Sequence, residues 1–143
     1  MIYLDIDTLN AKFWATPLTY KNETGATVIL PDAQKLDENG PSADLDETQP
    51  FVRWTIDPGA SAAVTTKPAI FKSLGVATLQ IFIPQGRGSG IAIDIAEAFE
   101  AAFREFKSAD KCLNVTRTQR NKGSDPKLFQ LNVTVTYNSV RSA

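Results

Sequence analysis

The sequence contains no histidine and only one cysteine, Cys112, among its 143 residues. Such a chain cannot build a Cys/His zinc site, a Ser-His-Asp triad or a Cys-His pair from its own residues. A single cysteine also excludes an internal disulfide bond. Carboxylates remain as the candidates for metal binding or acid–base chemistry, but no catalytic, cofactor-binding or metal-binding set is predicted, and we do not expect an enzyme.

The sequence also lacks an apolar run near the roughly 18–20 residues that span a bilayer. Its first residues, MIYLDIDTLNAKF, carry two aspartates where a signal peptide carries basic residues. We therefore expect a protein made in a cytoplasm, without a membrane partner. Apolar residues make up 43% and charged residues 22% of the chain, which suits a soluble globular protein, and the length fits a single domain over 1–143.

Charge is unevenly distributed along the chain. Residues 1–50 hold nine acids against three lysines, a net charge of −6, whereas residues 51–143 hold seven acids against twelve bases, a net charge of +5. An acidic side and a basic side on one subunit would suit head-to-tail association of identical copies. Folding that interleaves the two halves would remove the asymmetry, and the sequence leaves both alternatives open.

Two segments have the apolar periodicity of amphipathic helices. Near the N-terminus, apolar residues spaced four, three and four apart predict a short helix that Pro17 ends: Ile2, Ile6, Leu9 and Phe13. Residues 91–107 predict a long helix with a broad apolar stripe. Its acids precede its bases, which complements the helix dipole, and Glu100 and Arg104 form a favourable i,i+4 pair.

Alternating apolar and polar residues predict strands around 27–30 and over 51–57 (FVRWTID), the latter burying Val52, Trp54 and Ile56. Residues 76–83 (VATLQIFI) are apolar on both faces apart from one threonine and one glutamine, which predicts a central strand covered on both sides.

Further strands are predicted on either side of these segments. Residues 61–71 (SAAVTTKPAIF) form a strand that Pro68 interrupts or confines to an edge. Residues 112–120 and 128–137, separated by the turn-rich NKGSDP, predict an antiparallel hairpin. Residues 31–50 predict a long polar loop that orders against a partner.

Together these elements predict an α+β fold. We expect a mainly antiparallel sheet packed by the long amphipathic helix, about 91–107, and by the short N-terminal helix.

A glycine-rich segment, IPQGRGSGIAIDIAEAFEAAF, joins the central strand to the long helix over residues 83–103. Its G-x-G-x-G spacing differs from the G-x-G-x-x-G dinucleotide fingerprint, and it lacks the lysine of a P-loop. A sharp strand-to-helix corner, with Ser89 available to cap the helix, explains the glycines. The free N–H groups of the helix start can still bind an anion beside Arg87, so a phosphate- or nucleotide-binding protein using residues 86–90 remains an alternative.

An acidic cluster lies in the predicted loop. Asp44, Asp46 and Glu47 in the sequence DLDET could gather a divalent ion, but they lack the register of a calcium-binding loop. A solvated acidic loop is the favoured interpretation.

A basic cluster follows the long helix. Residues 104–127, which include Arg117, Arg120 and Lys122, carry a net charge of +4 and could contact phosphates. The interval between residues 106 and 129 has no aromatic residue on which bases could stack, so we expect no specific recognition of nucleic acid.

The order of these segments resembles that of the tail terminator, or tail completion, proteins of long-tailed bacteriophages and prophages. The resemblance covers most of the chain and rests on the N-terminal helix and four sequences: LTYKNE (18–23), PFVRWTIDPG (50–59), SLGVATLQIFIPQGRGSGIAIDIAEAFEAAFREF (73–106) and LFQLNVTVTY (128–137). Small neck and tail-tube proteins share much of this pattern, so a neck or tail-tube component is an alternative.

The resemblance implies a non-enzymatic protein of the virion tail, assembled in the bacterial cytoplasm. Its subunits would close into a ring, typically of six, which caps the tail tube, stops its growth and offers a surface to the head-side connector protein. Its partners would be further copies of itself, the tail-tube protein and the connector. We expect subunit or partner contacts at the charged residues identified above: Arg87, Asp44, Asp46, Glu47, Arg117, Arg120 and Lys122.

Overall fold

A computed structural model describes residues 2–38, 44–59, 61–66, 69–84, 86, 89–125 and 127–142. The fold is α+β, as the sequence predicts. The elements follow in the order α1 (Ile2–Ala15), β1 (Thr19–Lys21), β2 (Thr27–Ile29), a 3-10 turn (Asp32–Gln34), β3 (Lys35–Leu36), β4 (Phe51–Asp57), β5 (Ser61–Thr66), β6 (Ala69–Pro84), α2 (Gly90–Phe103), β7 (Leu113–Lys122) and β8 (Leu128–Ser142).

The main sheet has the strand order β3-β4-β6-β8-β7. Its pairs are antiparallel except for β3 with β4, which is parallel. The first part of β6 also pairs with β5, so β6 is central, and the predicted hairpin is confirmed as β7 and β8. Strands β1 and β2 form a separate antiparallel hairpin.

The core lies between the sheet and the two helices, which pack on the same face, here called the inner face. The predicted faces are confirmed for α1 at Leu9 and Phe13, and for β4 at Val52 and Trp54, all of which are buried. On β6 and β8 the inner face carries the buried residues Ala77, Leu79, Ile81, Ile83, Val133, Val135 and Tyr137. Gly75 is paired with Tyr137 and leaves room for its ring, because a Cβ at Gly75 would overlap with that ring.

The long helix is shorter than the sequence predicts. It ends at Phe103, and Glu105 then adopts a left-handed conformation with φ 58°. This turn lets Phe106 pack edge-on against Phe103 with ring centroids 6.1 Å apart, and it brings Lys107 beside Asn114 of β7. The apolar stripe therefore continues past the helix through a turn rather than through further helix.

The prediction of one polar loop over 31–50 is wrong for part of that range. The 3-10 turn and β3 occupy residues 32–36, and β3 pairs with the start of β4. The amide of Gln34 holds the following segment in place: its Nε2 donates to Asp46 O (2.8 Å) and Pro50 O (3.0 Å), and its Oε1 accepts from Asp46 N (2.9 Å).

Two further predictions are corrected. Residues 76–83 were predicted to be covered on both sides, but Val76 is 37% exposed and Thr78 and Gln80 are half-buried on the outer face of the sheet. The helices cover only the inner face, which is common for antiparallel sheets. Ser89 precedes α2 but makes no side-chain capping hydrogen bond.

We predict that Phe99→Ala lowers the free energy of unfolding by about 3–5 kcal/mol, as for a fully buried phenylalanine. Phe99 is buried on α2 between Trp54 and Phe103, with ring centroids at 5.6 and 4.4 Å. Ile93→Ala, at an exposed position of the same helix, is the matched control and should cost less than about 1 kcal/mol. Urea denaturation measures both, and equal losses would contradict the assignment of the core face.

Candidate interaction surfaces

The middle of the outer face of the sheet is uncharged along β6 and β8, with Arg53 and Asp57 on its β4 side and Arg117 on its β7 side. It carries short hydroxyl and amide side chains, all half-buried: Thr55, Thr78, Gln80, Asn132, Thr134 and Thr136. Strand alternation places them there, because their neighbours in sequence point to the core. Towards one end of this face lie three exposed apolar side chains, Leu74 (56% exposed), Val76 (37%) and Val140 (44%), here called the outer apolar cluster.

At the other end of the outer face, the rings of Phe51 and Phe82 stack with centroids 4.9 Å apart. They line a cleft of about 320 Å³ together with two leucines and four charged residues: Leu36, Leu128, Glu47, Arg53, Asp125 and Lys127. The sequence predicts Glu47 to be part of one acidic cluster, but the structure places it beside cations in this cleft.

Asp32, Asp37 and Glu38, further acidic residues of the predicted loop, flank β3 in the chain, at one edge of the sheet. Asp44 and Asp46 follow the residues that the structure leaves undescribed, and the bonds from Gln34 hold Asp46 next to the 3-10 turn. Thr48 donates its hydroxyl and backbone N–H to the Asp46 carboxylate, which lowers the pKa of Asp46. We define the acidic edge as Asp32, Asp37, Glu38, Asp44 and Asp46.

The basic residues predicted after α2 lie on β7, at the opposite edge of the sheet. Arg117, Arg120 and Lys122, which define the basic edge, are all exposed. Arg120 Nε donates to Glu100 Oε1 (2.5 Å) on α2, and Arg104 contacts Glu100 Oε2 at 3.3 Å, which confirms the predicted Glu100–Arg104 pair. The buried carboxylate of Glu100 therefore anchors one member of the basic edge to the helix.

The glycine-rich corner is described only in part. Gly86 has φ 86°, a conformation that glycine adopts without a steric penalty, and α2 begins at Gly90. Arg87 and Gly88 lie outside the described residues, so the predicted contact at Arg87 stays a prediction. The alternative of an anion bound at this helix start likewise stays a prediction.

One buried ion-pair network was not foreseen from the sequence. Arg141 on β8 is only 7% exposed in its side chain and donates from Nε to Asp5 Oδ1 on α1 (2.7 Å) and from Nη1 to Asp110 Oδ2 (2.6 Å). Ser139 Oγ also donates to Asp5 (2.5 Å). The network fastens α1 to the strand that lies 136 residues further along. Neither Asp5 nor Arg141 stands out in the sequence, because each is a single charge between apolar or polar neighbours.

Lys35 on β3 is a second buried charge that the sequence does not reveal. Its Nζ donates to Thr16 O (3.0 Å), just past the end of α1, and lies 5.3 Å from the ring centroid of Phe13. Burial lowers the pKa of Lys35, and Asp32 at 3.9 Å opposes that shift. The ammonium group therefore ties β3, and with it the acidic edge, to α1.

The described ranges contain neither a metal-site cluster nor a membrane-spanning helix. No group of three or more His, Cys, Asp and Glu residues there has the arrangement of a metal site. Neither described helix is long and apolar enough to cross a membrane.

Comparisons with known proteins support the fold but give no function. No family model matches the chain, and no curated protein is similar to it. Sixteen chains of solved structures are similar. One of them, whose name states no function, has a TM-score of 0.54 and 18% identity, and the match covers 75% of this chain and 79% of that chain. At this identity the similarity shows a shared fold and nothing more.

We predict that Arg141→Met lowers the free energy of unfolding by about 3–5 kcal/mol, because it leaves the buried carboxylate of Asp5 without its cation. The double variant Asp5→Leu with Arg141→Met should recover a large part of this loss, since it removes both buried charges. Chemical denaturation of both variants measures the difference. A double variant at least as unstable as Arg141→Met would contradict the ion-pair explanation.

We also predict a pH-dependent effect at Asp110. Hydrogen bonds from Ser108 Oγ, the Cys112 backbone N–H and the Arg141 guanidinium hold the pKa of the Asp110 carboxyl below its ordinary value. Because the pKa is lower in the folded than in the unfolded chain, the stabilisation is complete above the unfolded pKa, about 3.9, and is lost as pH falls through the folded pKa.

Asp110→Asn should therefore lower the urea midpoint at pH 7, and its difference from the unchanged protein should shrink at pH 3. Asp7→Asn, at an exposed position on α1, is the control for loss of one carboxylate. A difference for Asp110→Asn that is the same at both pH values would contradict this explanation.

Proposed function

We propose that this protein is a tail terminator of a long-tailed bacteriophage or prophage. In this proposal its subunits close into a ring, typically of six, that caps the tail tube, stops its polymerisation and joins it to the head-side connector. The family resemblance supports the proposal over most of the chain. Its main segments correspond to β4, to most of β6 with the whole of α2, and to a large part of β8, which are elements that build the sheet and its helix.

The observation that carries the proposal is the outer apolar cluster on a sheet whose helices pack on the other face. Leu74, Val76 and Val140 are exposed together on neighbouring strands, with Val140 opposite Lys72 and Leu74 opposite Asn138 in the pairing of β6 with β8. Contiguous exposed apolar side chains are a typical mark of protein–protein contact. A subunit of a larger assembly has a reason to keep them, because a neighbouring protein covers them.

The uncharged middle of the outer face supports the same proposal. Threonine, asparagine and glutamine side chains on a sheet offer hydrogen-bond donors and acceptors without the cost of desolvating a charge. Beside the outer apolar cluster, they form a surface suited to contact with another protein subunit. A neck or tail-tube component would use the same surface, so the distinction between these roles depends on what the protein does to a growing tube.

We predict that the purified protein forms a closed oligomer at micromolar concentration and binds the ends of tail tubes. Sedimentation velocity over a series of protein and Mg²⁺ concentrations measures the first. For the second, the tail-tube protein encoded in the same genome is polymerised with and without this protein, and tube lengths are measured by electron microscopy. A terminator shortens the tubes and leaves them capped at one end.

Variants of the outer apolar cluster test whether this cluster forms the contact with other subunits or with the tube. Leu74→Ser with Val140→Ser should weaken assembly or tube capping without unfolding the chain, whereas Ile29→Ser, at an exposed apolar position of the β1–β2 hairpin, should not. A protein that lengthens the tubes by adding to them would favour the tail-tube alternative. A monomer at all concentrations that never binds tube ends would contradict the proposal, and micromolar binding of ATP, GTP or NAD would favour the phosphate-binding alternative.

A further inference from the structure

One edge of β7 has backbone groups that no described strand uses. Within the described residues, β8 is the one strand that pairs with β7, and it lies on one side only. On the other side the turn after α2 covers the start of β7: Phe106 O accepts from Val115 N (2.8 Å), and Ser108 N donates to Leu113 O (3.0 Å). An extended segment of this chain therefore pairs with the first part of the edge, and the part beyond Val115 is left open.

The hydrogen bonds to β8 identify the open backbone groups. Gly123 N donates to Gln130 O (2.9 Å), and the register of β7 with β8 continues from this pair up to the bulge near the start of β7. Because bonded and non-bonded pairs alternate in an antiparallel ladder, the backbone N–H and C=O groups of Thr118, Arg120 and Lys122 point away from β8. Within the described chain these groups make no backbone hydrogen bond on that side.

The open part of the edge is cationic. Its sequence, TRTQRNK, is polar throughout and contains three bases and no acid. Arg120 is balanced by Glu100, to which it donates, and at longer range by Glu97. Arg117 and Lys122 are exposed and make no ion pair with a described residue, so they are the unbalanced cations of the basic edge.

A small cleft of about 170 Å³ lies between the end of α2 and the open part of the edge. Arg104 and Glu105 line it on one side, and residues 115–118 of β7 line it on the other. Two arginines, Arg104 and Arg117, thus share the cleft with one carboxylate. A carboxylate side chain that enters beside β7 meets more positive than negative charge.

We propose that residues 118–122 bind an extended acidic segment of a partner protein, which adds to the sheet as a strand beside β7. Backbone hydrogen bonds supply affinity in this mode of binding, and side-chain contacts supply specificity. Here Arg117, Lys122 and the cleft select carboxylates. The outer apolar cluster lies at the other end of β7, where Val140 N donates to Cys112 O, so this site does not depend on the proposed ring.

Two other occupants match the edge less completely. In a two-fold contact between the β7 edges of two copies, the cations of one copy would face those of the other, and like charges directly opposite each other destabilise strand pairing. Nucleic acid matches the cations, but its phosphates only accept hydrogen bonds, and residues 107–128 include no aromatic side chain for its bases. An extended polypeptide supplies both donors and acceptors to the open backbone groups.

The test uses short synthetic peptides as probes. The first alternates threonine with glutamate. The second has the same side chains but N-methylated amides at alternate residues, so it keeps every carboxylate and cannot donate backbone hydrogen bonds along one edge. A third peptide, alternating threonine with lysine, controls for the sign of the charge.

Two protein variants test the edge, and a third is their control. Arg117→Glu with Lys122→Glu reverses the unbalanced cations and spares Arg120, which anchors Glu100. Thr118→Pro removes one open N–H and keeps every charge, and proline is tolerated where an edge strand turns its N–H to solvent. The control replaces exposed lysines of β1 and β6 by glutamate, Lys21 and Lys72, and makes the same change in net charge.

Calorimetric titration at low and high salt measures binding, and amide hydrogen exchange measured by NMR locates it. The first peptide should bind at least about tenfold more tightly than the other two, should bind more weakly as salt rises, and should protect the amides of Thr118, Arg120 and Lys122. The Arg117 and Lys122 reversal should weaken this binding at least about tenfold, and Thr118→Pro should also weaken it, whereas the control should not. If thermal melting shows that Thr118→Pro unfolds, the N-methylated peptide tests the backbone contact instead.

Four results would overturn the inference. Equal affinity for the two glutamate peptides, without protection of the three amides, would show a contact between charges and no added strand. Tighter binding of a short DNA duplex than of the first peptide would assign the cations to phosphate. Protection that rises with protein concentration in the absence of peptide would place a second copy on the edge. If no probe binds, the cations only keep other strands away from the edge.

Discussion

The indole of Trp54 is where both helices meet the sheet. It stacks on Phe13 of α1 with the two rings nearly parallel (3°) and their centroids 5.1 Å apart, and it contacts Phe99 and Phe103 of α2 at 5.6 and 5.4 Å. Its Nε1 donates to Asn10 Oδ1 (2.8 Å), so the one polar atom of the ring is satisfied beside the core. Because this one side chain contacts both helices from β4, the placement of the helices on the inner face depends on it.

Much of this arrangement could be predicted from residue patterns. The alternation of Val52, Trp54 and Ile56 and the apolar stripe of α2 are local properties, so they identify the buried faces of a strand and a helix. The end of α2 could not be predicted in this way, because Phe106 keeps the helical spacing but reaches the core through the left-handed turn at Glu105. Strand β3 was missed because two residues carry no period, and its pairing with β4 depends on tertiary packing around Gln34.

The candidate surfaces, too, could be predicted from the sequence only in part. The charges of Asp44, Asp46, Arg117 and Lys122 are visible in the sequence, but their separation to opposite edges results from the strand order. The apolar residues on both faces of β6 predict a strand with other elements packed on each face. The structure instead leaves Val76 exposed on the outer face, where no described element of this chain packs over it. Alternation reports which side chains avoid water, and it does not say whether the same chain or another protein buries them.

The link between Asp5 and Arg141 has a consequence for synthesis. The two charges are 136 residues apart, so the helix that begins the fold acquires its buried partner only when β8 has emerged from the ribosome. At translation rates of about 5–20 residues per second, synthesis of these 136 residues takes about 7–27 seconds. The central pairing of β6 with β8 is delayed in the same way. A nascent chain therefore does not complete its sheet before almost all of the described residues have been made.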